Sequence, residues 1–288
     1  MSAIPLGNIL TGVGSLGALV MLPHLLFPAK MCKMFLEEKF TDNPTSASQL
    51  ILLHFGLFSN LFWLAVTIAV AGQTCPCLPV GYAFCAIIIL RLVHVFMGFK
   101  NEKLGLARKP VMIQVIVGLI LAGTVLTATI MASSDEAYLA ATKAMEATAF
   151  DKMDDAAPLV YFIIGISLFF ALMSAPGMCM PDKMIDGYIP NALTLADNYA
   201  GTQMKFYMAF QSREQLFFWL LLAALMYMSP DITYLGYTIC AMCVHFIGFC
   251  THAILNNATY GFAPAGILFW FLCMSVILGA TSMGLLLI

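Results

Sequence analysis

Eight apolar segments of about 20 residues follow one another along this 288-residue chain, at about 6–28, 49–72, 79–99, 111–132, 157–180, 208–229, 232–253 and 264–287. Roughly 20 residues of α-helix cross the ~30 Å hydrocarbon core of a bilayer. The runs are continuous rather than alternating, which excludes a membrane β-barrel. With 61% hydrophobic and 10% charged residues, the chain lacks the polar surface of a soluble globule, which is roughly a quarter charged. The expected fold is all-α: a polytopic membrane bundle of eight transmembrane helices. The N-terminal "MSAIPLGNIL" has no basic leader and no Arg-rich amphipathic pattern, so the first span is expected to be retained.

The segments come in two sets. Pro23–Met31 (PHLLFPAKM) and Pro176–Met184 (PGMCMPDKM) share P-x-x-x-x-P-x-K-M, 153 residues apart. Gly12 matches Gly165 and Ala18 matches Ala171 at the same offset. NLFWLAV (60–66) resembles LFFWLLL (216–222), and LVHVFMGF (92–99) resembles CVHFIGFC (243–250), pairing Trp63 with Trp219 and His94 with His245. Two tandem four-span repeats are therefore expected, 1–132 and 157–288, joined by an acidic linker, 133–156. Four spans per repeat give both halves the same orientation, related by an axis along the membrane normal. Proline ends a helix, so Pro28 and Pro181 are read as closing spans one and five, with Lys30 and Lys183 snorkelling to headgroups. In the linker, Ser133-x-x-Glu136 reads as a capping box, with Tyr138, Thr142, Met145 and Ala149 on one face of a surface helix. Lys33 and Glu37 can pair on another short helix.

Basic residues set the orientation. Ten of them (Lys30, Lys33, Lys39, Lys100, Lys103, Arg108, Lys109, Lys183, Lys205 and Arg213) fall after odd-numbered spans or at the edge of span six. Only Lys143 and Lys152 fall on the opposite side. The positive-inside rule puts the basic loops in the cytoplasm and both termini outside it, in the endoplasmic reticulum or plasma membrane. The sequon Asn257-Ala258-Thr259 would then stay unglycosylated. Cys75-Pro76-Cys77 reads as a turn in a tight exported loop, and the other cysteines as packing residues.

Ionisable groups inside a membrane are costly and mark function. His24, His54, His94, His245 and His252 all fall toward the cytoplasmic ends, as do Gln211, Glu214 and Gln215, while Asn60 lies mid-span. A pocket built from Arg91, His94, Glu214, Gln211, His245, His54 and Asn60 is the sharper reading, with Arg91 partnered by Glu214 across the repeats. The plainer one is that these groups cap, snorkel or bond between helices. Arg91 aligns with Met242, so the repeats differ there. His94 and His245, if facing, could ligate haem or a pigment; no cofactor or metal is otherwise expected. The chain has no H-E-x-x-H, G-x-S-x-G or Walker loop, and five scattered histidines do not suit a di-iron oxygenase. Gly14-x-x-x-Ala18, Gly118-x-x-x-Ala122 and Ala280-x-x-x-Gly284 fit close helix packing.

The stretch PTSASQLILLHFGLFSNLFWLAV (44–66) and a histidine followed by a glycine near the end of the next span (His94/Gly98, His245/Gly248) carry a family resemblance. Each half resembles the four-span proteins of the ergosterol-biosynthesis scaffold type and related four-span families, although the duplication departs from their single repeat. The resemblance implies a non-catalytic membrane protein that gathers enzymes or holds a sterol-like lipid. The leading expectation is thus a scaffold or lipid-binding component, with membrane lipids and other membrane proteins as partners and no nucleic acid. A small-solute transporter or channel is the alternative, and a membrane lipid-modifying enzyme the third.

Overall fold

The computed structural model describes residues 6–36, 39–151, 153–196 and 199–287. Glu37 and Lys152 lie outside this set, as do the side chains of Lys103 and Ala149. All regular structure among the described residues is helical. Helix α1 (Leu6–Leu26) gives way at Phe27 to the short α2 (Pro28–Leu36). Helix α3 (Pro44–Thr74) then runs to a tight turn and α4 (Leu78–Phe99), and a 3-10 turn at Glu102–Leu104 leads to α5 (Arg108–Ser133). After the linker helix α6 (Glu136–Asp151) the order recurs: α7 (Met153–Cys179), short α8 (Pro181–Tyr188) and α9 (Ala192–Leu195), long α10 (Ala200–Met228), α11 (Thr233–Leu255), the single turn α12 (Asn257–Tyr260) and α13 (Pro264–Leu287).

Pro28 and Pro181 open α2 and α8 at a position where a missing N–H costs nothing. Both short helices bury one face, Cys32, Phe35 and Leu36 in α2 and Ile185 in α8. Asn43 starts α3 by accepting hydrogen bonds from the backbone N–H groups of Thr45 and Ser46.

Among the described residues, seven helices are long and apolar enough to cross a membrane: α1, α3, α4, α5, the Ala157–Cys179 part of α7, α11 and α13. The chain is therefore a multi-pass integral membrane protein. The sequence suggested eight spans. The long helix outside the seven is α10, whose apolar run is broken by Gln211, Arg213, Glu214 and Gln215. Arg213 and Glu214 are buried within the protein, so α10 keeps these two charges off the outer surface.

Helices α3 and α10 form the centre. Helix α3 hides 72% of its apolar stretch, against 17–39% for the other six. Helix α1 lies along α3, and α7 lies along α10. The hairpins α4–α5 and α11–α13 complete the two sides, with α4 reaching across to α10 and α11 to α3. A β-carbon at Gly14 would overlap the Ala69 backbone, so glycine is what lets α1 and α3 approach this closely.

The basic linkers meet at one end. Ala107 N–H donates to the Phe35 carbonyl (2.8 Å), and Ala263 N–H to that of Tyr188 (2.8 Å). Gln203 Nε2 bridges the carbonyls of Lys39 and Leu104 at 3.0 Å each. At the other end the Tyr138 hydroxyl donates to the Pro76 carbonyl, seating α6 on the second turn. The Cys75 thiol points at the Cys77 sulfur, 3.7 Å away. One expectation is corrected here. Ser133 does not cap α6, because it still belongs to α5 and donates to the Ile130 carbonyl. Asp135 caps instead, accepting from Ala137 and Tyr138 N–H.

Candidate functional site

Two cavities flank the central pair, each with about 120 Å³ of room for the centres of water-sized spheres. The first is walled by α1, α2, α3, α4 and α5, and closed by α10 from the other half. The second is walled by α7, α8, α10, α11 and α13, and closed by α3. The helix order around the two cavities is the same. Met242 lines the second as Arg91 lines the first.

The wall of the first cavity carries Arg91, Gln114 and Tyr207 among apolar neighbours. Arg91 Nη2 lies 2.8 Å from Glu214 Oε2, and Arg91 Nε 3.4 Å from Oε1. Arg213 Nη2 reaches the same carboxylate at 3.0 Å, its Nη1 donates to the Leu90 carbonyl at 3.2 Å, and its guanidinium lies 4.6 Å from the Phe210 ring centre. Two guanidiniums on one fully buried carboxylate leave a net charge of +1. An unpaired charge here would carry a desolvation cost of several kcal/mol; sharing Glu214 offsets it and fastens α4 to α10. His94 stands beside this group, packed between Phe206 and Phe210.

Behind Tyr207 runs a second buried network. Its hydroxyl is 3.0 Å from His54 Nδ1, and His54 Nε2 is 3.0 Å from His24 Nδ1. His24 stacks on Phe58 with ring centres 3.6 Å apart, and Cys32 hydrogen-bonds to Tyr207. The chain joins α1, α2, α3 and α10, and its three ring residues are at most 2% exposed. Burial pushes the Cys32 thiol up to about 12.

The second cavity has no charged group on its wall, and three of its polar atoms lack partners. Asn60 Nδ2, Trp63 Nε1 and Gln211 Oε1 are buried without a hydrogen bond among the described residues. Among the described residues no such atom lines the first cavity, although His94 Nε2 and Arg213 Nε in the charged group beside it are likewise buried without a partner. Gln215 is engaged, its Oε1 3.5 Å from Ser174 Oγ. Trp63, Trp219 and Trp270, the three tryptophans of the chain, all line this space.

The residues singled out in the sequence therefore divide. Arg91, Glu214 and His94 gather at the first cavity, and His54 stands behind its wall through Tyr207. Asn60 and Gln211 belong to the second. His245 sits near the second, with Nε2 3.1 Å from Ser59 Oγ and its ring stacked on Phe55. No contact among the described residues joins His94 to His245: one packs on α10 and the other on α3, which separates the imidazoles rather than facing them. Tyr207, Cys32 and the tryptophan wall were missed as site residues, and His24 was noted only as one of five histidines. A signal for Tyr207 exists, since Gln203, Tyr207 and Glu214 repeat at i, i+4 and i+11 on one face of α10. Comparisons with protein-family models, curated proteins and solved structures returned no match.

Proposed function

We propose that this chain is a duplicated eight-span membrane protein whose halves enclose two apolar cavities, and that it acts as a non-enzymatic binding component for a hydrophobic ligand. The observation that carries this reading is the pair of apolar cavities, walled by helices in the same order and each closed by the central helix of the other half. Concave apolar spaces with a few polar groups are the usual form of a small-molecule site. In this reading α10 is the eighth span and the basic end faces the cytoplasm. Cys179 is exposed near that end, so a membrane-impermeant maleimide should label it from the cytoplasmic side only. The resemblance to four-span scaffold proteins points toward the same lipid-linked role.

Solute transport is the second reading, favoured by the charges gathered toward one end. It needs those charges on a wet path, whereas Glu214 is fully buried behind two arginines. Native mass spectrometry of gently purified protein separates the two. Lipid adducts should accompany the wild type, and Gly118→Phe, which fills the first cavity from a position with room for a side chain, should lose part of them. A lipid-free wild type that moves a solute in proteoliposomes would overturn the proposal.

A further inference from the structure

Resting on the reading that the cavities hold apolar ligands, we infer that the second cavity recognises the hydroxyl group of an uncharged lipid alcohol. Gly56, Asn60 and Trp63 occupy one face of α3 at i, i+4 and i+7, and a β-carbon at Gly56 would lie 3.1 Å from the Gln211 amide. Asn60, Trp63 and Gln211 therefore share one strip of wall about two helical turns long. They present two unpartnered donors, Asn60 Nδ2–H and Trp63 Nε1–H, and one unpartnered acceptor, Gln211 Oε1. Asn60 is 4% exposed and Trp63 9%, so bulk water does not satisfy them. A hydroxyl accepts at two lone pairs and donates one proton, which is the complement of this set. A carboxylate has no proton for Gln211 and would bring a charge into a wall that has no cation to meet it. An ether accepts but cannot donate. The rest of the wall, including Trp219, Phe246, Trp270 and Met274, suits the apolar body.

All three tryptophans line this cavity, so intrinsic fluorescence reports on it. The test titrates the full chain in mild detergent with 9,10-dibromostearyl alcohol, its methyl ether and 9,10-dibromostearic acid, compared at equal micellar mole fraction. The alcohol is expected to quench saturably, with half-saturation at least five-fold lower than the ether or the acid. Asn60→Leu should raise the alcohol's half-saturation at least five-fold and leave the ether's unchanged. The ligand-free Asn60→Leu protein should melt no lower than wild type, because it removes an unsatisfied buried amide, an outcome a merely structural asparagine would not give. Gln211→Leu provides the same comparison if Asn60→Leu does not fold. Equal quenching by alcohol and ether, or an alcohol titration unmoved by both variants, overturns hydroxyl recognition while leaving lipid binding intact. Saturable quenching by none of the three probes overturns both.

Discussion

The two cavities are walled by helices in the same order and have nearly the same size, yet the polar groups on their walls are handled differently. In the first, Arg91 is engaged by Glu214 and Tyr207 by His54. In the second, Gln215 and Tyr188 are bonded, but Asn60 Nδ2, Trp63 Nε1 and Gln211 Oε1 are buried without a partner among the described residues. A satisfied buried network fixes helices, whereas an unsatisfied one destabilises the empty protein until something completes it. On the proposed reading, fastening falls to the charged side and recognition to the neutral side. Arg91, the most conspicuous intramembrane residue in the sequence, then serves chiefly to hold α4 against α10.

The largest effect should come from Glu214→Leu, which leaves Arg91 and Arg213 facing each other with no anion. Breaking a buried pair costs about 3–5 kcal/mol, so this variant should show the lowest melting temperature or fail to fold. Arg91→Met should cost less, because Arg213 still pairs with Glu214. Equal melting of Glu214→Leu and wild type would end the fastening role. Next comes Tyr207→Phe, which strips His54 Nδ1 of its partner at a cost of about 1–3 kcal/mol. Adding His54→Phe should cost less than the sum of the two single changes, and strict additivity would show that the buried chain is not one network. A smaller effect is expected at Cys32. With its thiol pushed up to about 12, the reactive thiolate is scarce at pH 8 and grows only as pH approaches that value. Alkylation at pH 8 should reach exposed Cys179 and spare Cys32; comparable rates would mean that this side of the bundle opens.

The sequence made the apolar helices plain because lipid contact demands long uninterrupted runs, and it brought Arg91 and Glu214 together because both lie toward the same end of neighbouring spans. The His24–His54–Tyr207–Cys32 chain was not legible, since it depends on how α2 folds back and how four helices rotate against one another. The division of Asn60 and Gln211 from Arg91 has the same cause: a linear pattern shows depth along a helix but not which of two cavities a side chain enters. Ser133 was mistaken for a cap because Asp135, two residues on, offers the same capping chemistry and takes that place while Ser133 stays in the last turn of α5.

The most direct measurement of the central claim is an experimental density map of the protein in lipid nanodiscs, held by a rigid fiducial. The account predicts elongated non-protein density in each cavity, ending in the second at Asn60, Trp63 and Gln211. A map in which both spaces are closed by side chains, or filled by connected water from Arg91 to the basic end, would contradict it.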